Sequence, residues 1–120
     1  MKTIVLIDDD NTQHFLLTKM LNKIDPTIMV HSMYNVKDAL DFVQGKEAQI
    51  DRIFLDLNMP GLDGWDFLGE YEKNSLAKPV IYVLSSSINE EDEVRAMNSP
   101  LVRAFISKPI TLMKLQEVVQ

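Results

Sequence analysis

Four short polar stretches stand out because each follows on a short, mostly apolar run. Asp8-Asp9-Asp10 follows Ile4-Val5-Leu6-Ile7, Asp56 follows Ile53-Phe54-Leu55, Ser85-Ser86-Ser87 follows residues 80–84, and Lys108-Pro109 follows residues 103–107. Brought to one place, such carboxylates repel: two unit charges ~4 Å apart at an effective dielectric of ~20 oppose each other by roughly 4 kcal/mol. The conflict resolves by raising the pKa of one member or by binding a cation. All-oxygen donors with no thiolate or histidine among them suit a hard cation. Few ligands with room for water favour magnesium over a calcium cage, with manganese able to substitute. With a metal drawing anionic oxygens inward, Asp56 can attack a phosphoryl group. Lys108 can then meet the added charge and Ser85 can donate a hydrogen bond to it.

Convergence needs elements that place these stretches side by side. Residues 4–7 are apolar on successive positions and rich in β-branched side chains, the pattern of a strand covered on both faces. From position 11 the period changes: Leu16, Leu17, Met20, Leu21 and Ile24 recur at helical spacing, with Asn11 or Thr12 as N-cap. Asp25-Pro26 breaks this helix, and residues 27–32 read as a weaker strand diluted by His31 and Ser32. Asn35 caps a helix that turns Val36, Ala39, Leu40 and Val43 inward and stops near Gly45. Residues 52–57 form a third strand, 58–64 a turn and 65–71 a third helix. Residues 79–84 form a fourth strand, and Asn89 caps a helix with Glu90, Glu91 and Asp92 in its first turn, the sign its dipole favours. Residues 103–107 form a fifth strand and Thr111 caps a last helix through Val119. Strand then helix, five times over residues 1–120, predicts a single α/β domain with a parallel sheet, right-handed crossovers and helices on both faces. Ligands of such sheets sit beyond the carboxyl ends of the strands, where the polar stretches stand. If strands one and three are neighbours, as in the order 2-1-3-4-5, three carboxylates share one crevice.

Composition narrows the function classes. The 120 residues carry 12 basic and 18 acidic side chains, a net charge of −6, so the molecule as a whole repels nucleic-acid phosphates. The absence of cysteine excludes disulfides, thiolate metal sites and a cysteine nucleophile, and suits a reducing cytosol. The longest apolar runs fall far short of the ~20 residues of a membrane helix, and Lys2 alone opens no signal peptide. The expectation is a cytoplasmic protein with neither nucleic acid nor membrane as direct partner.

The order Asp8-Asp9, Asp56 within Leu55-Asp56-Leu57-Asn58-Met59-Pro60-Gly61-Leu62-Asp63-Gly64, Ser85-Ser86, then Lys108-Pro109 resembles the receiver domain of two-component response regulators, of the chemotaxis-regulator type, over essentially the whole chain. The resemblance implies a flavodoxin-like sheet in the order 2-1-3-4-5. It implies that Asp56 takes a phosphoryl group from the phosphohistidine of a sensor histidine kinase or histidine phosphotransfer protein. Asp9, Asp56 and the Asn58 main-chain carbonyl would ligate magnesium directly, and Asp8 would act through a metal-bound water. Lys108 would pair with the carboxylate and later with the phosphoryl oxygen, with a cis bond to Pro109. Ser85 stands where the family has a phosphoryl-binding hydroxyl. Phe105 stands at the aromatic switch position, where many relatives have Tyr; Phe can change rotamer but has no hydroxyl. Asn58 and Ser87 match positions that tune hydrolysis of the aspartyl phosphate. The implied output is a shifted surface of the fourth helix, fifth strand and fifth helix, a face through which receivers also form homodimers on phosphorylation. Receivers are phosphoacceptors that assist their own phosphorylation and dephosphorylation, not enzymes acting on other molecules.

Plainer readings apply elsewhere. Asp10 caps or solvates, Ser86 and Ser87 make a polar turn, and Asp63-Gly64 is a structural turn feeding the third helix. His14 and His31 read as surface or sheet-edge residues, and the seven methionines as core fillers. Phe15 points nearly opposite the apolar stripe of its helix, so an exposed aromatic beside the acidic pocket is expected, where a kinase or phosphotransfer bundle docks in relatives. Two other functions compete. A haloacid-dehalogenase-type phosphatase also uses a strand-end Asp, magnesium and Lys, but needs a second acid two residues on, where this chain has Asn58. A phosphorylation-independent scaffold would not require the intact acids, Ser85 and Lys108.

Overall fold

The computed structural model describes residues 2–74, 79–86 and 89–119. Its elements are β1 (Thr3–Ile7), α1 (Asn11–Ile24), β2 (Met29–Met33), α2 (Val36–Val43), a 3-10 turn (Glu47–Gln49), β3 (Arg52–Asp56), α3 (Gly64–Asn74), β4 (Val80–Ser85), α4 (Glu90–Met97), β5 (Val102–Ser107) and α5 (Leu112–Val119). The strands form one parallel sheet in the order β2-β1-β3-β4-β5, the flavodoxin-like arrangement. β1 and β3 are neighbours, with Ile7 opposite Leu55, so Asp8 and Asp56 leave the sheet at adjacent positions.

Side-chain parity along the strands builds two cores. Val5, Ile7, Ile53, Leu55, Ile81 and Val83 face α2, α3 and α4 and pack on Val36, Ala39, Val43, Phe67, Leu68 and Ala96. Ile4, Leu6, Phe54, Tyr82, Leu84 and Ile106 face the other way and pack on Leu17, Leu21, Leu115 and Val119 of α1 and α5. In the interior of β1, β3 and β4 both faces are covered, so successive positions are apolar and no polar alternation survives there. Each such side chain withdrawn from water contributes ~1.5–3 kcal/mol, which sets these strands as a rigid platform for whatever stands at their ends.

Local chemistry explains the boundaries. Asn35 and Asn89 cap α2 and α4 through hydrogen bonds from the Asp38 and Glu91 N–H groups, and the Thr111 hydroxyl accepts from Lys114 N–H at 3.1 Å. The N-cap of α1 is Asp10, whose carboxylate accepts from Thr12 N–H at 2.8 Å, rather than Asn11 or Thr12. β2 starts at Met29 instead of residue 27, because Thr27 donates both its N–H and its hydroxyl to Asp25 and is held in a turn. α3 starts at Gly64 behind a reciprocal cap: Asp66 N–H donates to the Asp63 carboxylate and Asp63 N–H to the Asp66 carboxylate. α2 ends as expected near Gly45, whose φ of +80° is the left-handed conformation glycine adopts without strain.

Two expectations about burial are corrected. Leu16 is 45% exposed, and the buried stripe of α1 is His14, Leu17 and Leu21. A histidine takes the inward place because the backbone offers its ring a partner. The methionines are divided: Met59 is buried, whereas Met29, Met97 and Met113 are exposed. Among the described residues no helix is long and apolar enough to cross a membrane.

Candidate functional site

At the carboxyl end of β1 the ladder continues one step, with Asp8 N–H donating to Met33 O at 3.1 Å. The buried Asp8 carboxylate accepts from Asp10 N–H at 2.9 Å through Oδ1 and from Lys108 Nζ at 2.8 Å through Oδ2. Asp56, the last residue of β3, is also buried; its Oδ1 lies 3.4 Å from Lys108 Nζ and accepts from Asn58 N–H at 3.3 Å. Asp9 is exposed, yet one carboxylate oxygen each from Asp8, Asp9 and Asp56 lies within 4.8 Å of the others. The structure therefore brings together the residues that the sequence places at the ends of β1, β3 and β5.

Lys108 follows β5, and its N–H donates to Ser85 O at 2.8 Å, tying that strand end to the end of β4. Its peptide bond to Pro109 is cis. Lys108 lies nearer Asp8 than Asp56, the carboxylate with which the resemblance pairs it. Ser85 is buried at the last position of β4, one residue beyond Leu84, which is opposite Asp56. Phe105 lies opposite Val83 on β5, half-buried against the α2, α3 and α4 core. Asn58 is exposed, and Ser87 lies outside the described residues. Gly64 brings the start of α3 against the sheet: a Cβ there would lie 2.6 Å from Asp56 O and 2.7 Å from Leu57 Cα.

The electrostatics follow from this crowding. Burial, then the charge of Asp8, pushes the Asp56 carboxyl up to about 6, against the opposing pull of Lys108 and the Asn58 N–H. Burial alone would depress the Lys108 ammonium, but its hydrogen bond to Asp8 and the charges of Asp56 and Asp8 hold it above its ordinary value. Three ionised carboxylates against one ammonium leave two negative charges in a pocket of oxygen donors. That charge and donor set fits a hard divalent cation, and the cluster can hold a metal ion.

Outside this pocket, Phe15 is 60% exposed on α1, and Lys19 Nζ stands 5.1 Å from its ring centroid. It borders an open groove of about 370 Å³ that Asn11, Thr18 and Tyr34 also line. His31 is half-buried on the edge strand with its ring 4.8 Å from that of Phe42, as a sheet-edge residue would be. His14 is not at the surface. It is buried with Nε2 2.6 Å from Asp8 O. The available signal was spacing, since His14 lies three and seven residues before Leu17 and Leu21 on one helix face.

A family model for the response regulator receiver domain matches residues 4–120. This chain belongs to that family. Receiver domains serve two-component systems, in which phosphoryl transfer is their known role, and they bind magnesium at an acidic pocket and interact with histidine kinases or phosphotransfer proteins. Family membership also decides against the dehalogenase-type phosphatase. The receiver is 30% identical over 122 residues to the hybrid signal transduction histidine kinase L of Dictyostelium discoideum, covering 98% of this chain but 7% of that protein. It is 23% identical to the probable methanogenesis regulatory protein FilR2 of Methanothrix harundinacea, covering 98% of this chain and 78% of that one. A two-component response regulator from Cytophaga hutchinsonii has a similar structure, with a TM-score of 0.89, 26% identity, and 99% and 94% of the two chains covered.

Proposed function

We propose that this chain, as one receiver unit over residues 1–120, accepts a phosphoryl group on Asp56 from the phosphohistidine of a sensor histidine kinase or histidine phosphotransfer protein in the cytoplasm. The observation that carries this is the meeting of Asp8, Asp9 and Asp56 within 4.8 Å of one another, with Lys108 bridging two of them. With its carboxyl at about 6, Asp56 is mostly ionised at pH 7. One of its oxygens attacks phosphorus: a P–O bond forms, the P–N bond breaks, and the electron pair leaves on the imidazole nitrogen, which takes up a proton. Asp9, Asp56 and the Asn58 carbonyl would hold magnesium, with Asp8 acting through water. Magnesium, when bound, supplies charge neutralisation to the phosphoryl oxygens, and manganese substitutes for it. Lys108 and the Ser85 hydroxyl receive those oxygens, and Phe105 changes rotamer as the α4, β5 and α5 surface shifts. Homodimerisation on that surface, action on a downstream protein, and a self-assisting phosphoacceptor role rather than enzyme activity complete the proposal.

Incubation with acetyl phosphate and magnesium, followed by a phosphate-affinity gel, tests the acceptor. The wild type is expected to shift and Asp56→Asn to lose the shifted band. Equal labelling of both would refute the assignment, and no labelling of either would favour the phosphorylation-independent scaffold. The exposed Phe15 is the docking contact for the helical bundle of the donor. Phe15→Ala is expected to slow transfer from the cognate phosphorylated kinase about tenfold, the size of a moderate interface contact, while acetyl phosphate labelling stays unchanged. An unchanged kinase rate removes Phe15 from the interface.

A further inference from the structure

His14 carries a bond that its burial alone does not require. The side chain is 4% exposed, and its Nε2 lies 2.6 Å from the Asp8 main-chain oxygen. A carbonyl oxygen only accepts, so Nε2 carries the hydrogen and donates. In the neutral ring Nδ1 is then an acceptor, buried and without a hydrogen-bond partner among the described residues. Leucine, which α1 uses at the next two positions of the same stripe, would fill the space without that unpaired atom. The useful part of His14 is therefore its single donor, and that donor lands on the peptide unit joining Asp8 to Asp9.

The acidic loop is restrained from three sides. Asp8 N–H is taken by Met33 O at 3.1 Å, Asp10 N–H by Asp8 Oδ1 at 2.9 Å, and Asp8 O by His14. The Asp8 oxygen and the Asp9 nitrogen share one planar peptide, so holding the oxygen fixes the rotation of that plane and the direction in which the Asp9 Cα leaves it. Asp9 has no side-chain hydrogen bond or ion pair among the described residues, so the backbone alone keeps its exposed carboxylate within reach of Asp8 and Asp56. Tyr34 covers the imidazole, with ring centroids 4.2 Å apart, and fixes the plane of the ring.

We infer that His14 is a positioning residue of the cation site: through its Nε2–H bond to the Asp8 carbonyl it aims the Asp9 carboxylate and thereby raises the affinity for a divalent cation. This rests on Asp8, Asp9 and Asp56 being that site. Calorimetric titration with magnesium chloride alone tests both, and their failures are distinct. A wild type that binds no magnesium overturns the site itself. A wild type that binds, beside a folded His14→Leu that binds within twofold of it, overturns only the role of His14. The expected result is a Kd weakened about tenfold in His14→Leu, the effect of losing an outer partner of a metal ligand, with no fall in metal-free Tm. His14→Gln, which keeps a donor at similar reach, is expected to restore Kd to within about threefold. Its failure to do so counts against positioning. In an Asp9→Asn background, His14→Leu is expected to weaken binding less than twofold, because the group it aims is already lost; a full tenfold further loss would place its action elsewhere. Nitrogen NMR of the wild type needs no variant: Nε2–H is the expected tautomer, and Nδ1–H overturns the proposal.

Discussion

The two ends of the sheet are finished in opposite ways. At the amino end, Thr3 N–H donates to the Asp51 carboxylate at 2.7 Å and Asp51 N–H returns to Thr3 O at 2.8 Å. The last carbonyls of α5 are met by donors from β3, β4 and the residue just before β1: Arg52 Nε and Tyr82 OH reach Val118 O at 3.1 and 2.8 Å, and Lys2 Nζ reaches Val119 O. Cationic donors at a helix carboxyl terminus match the sign of its dipole. At the carboxyl end, three carboxylates meet one ammonium, and one of them is pushed up to about 6. One end satisfies its groups; the other holds a surplus of charge that protonation or a bound cation relieves. Stability and chemistry are thus kept at opposite ends of the same strands.

The largest effect that would break this contrast concerns Asp56 in the absence of metal. Its folded value of about 6 lies above the ordinary 3.8, so the folded state binds this proton more tightly than the unfolded chain. Its contribution to stability is fully present below pH 4 and is lost as pH rises toward about 6. Ionisation at pH 7 therefore costs about 3 kcal/mol. Asp56→Asn in chelator is expected to be more stable than wild type at pH 7 to 8 by an amount approaching that figure, and to lose this part of the pH dependence in urea titrations. A variant less stable than wild type at pH 8 would mean the charge is not in surplus.

Next in size is the cation response. Magnesium at about a hundredfold over its Kd is expected to stabilise the wild type by roughly 2.7 kcal/mol, read as a rise in Tm. Asp9→Asn should melt slightly higher without metal and gain much less from it. If it melts lower without metal and responds like wild type, repulsion is the wrong account. The smallest effect is at the opposite end. Tyr82→Phe removes one hydrogen bond to Val118 O and is expected to cost about 1 kcal/mol in denaturant unfolding while leaving the magnesium Kd unchanged. A shift in that Kd would show that the two ends are coupled.

What could be read in the sequence followed from short-range rules. Asn35, Asn89 and Thr111 cap helices because a side-chain oxygen beside the first turn has backbone N–H groups within reach, and that geometry is local. The acids at the ends of β1 and β3 were visible because both-face burial makes a strand uniformly apolar, so the first polar residue marks its exit. Long-range geometry was hidden. Nothing near Lys108 tells that Asp8, one hundred residues earlier, takes its ammonium at 2.8 Å while Asp56 stands at 3.4 Å. His14 differs: its partner is only six residues away and its spacing to Leu17 and Leu21 puts it on the inward face, but a polar residue there reads as exposed until a backbone carbonyl is known to receive it.

Gly64 bears on how closely the third helix can sit. The two nearest atoms that a methyl there would strike, Asp56 O and Leu57 Cα, belong to main chain, which cannot swing away as a side-chain tip can. Repacking offers no escape, and the gap between that helix and Asp56 is set by a missing carbon.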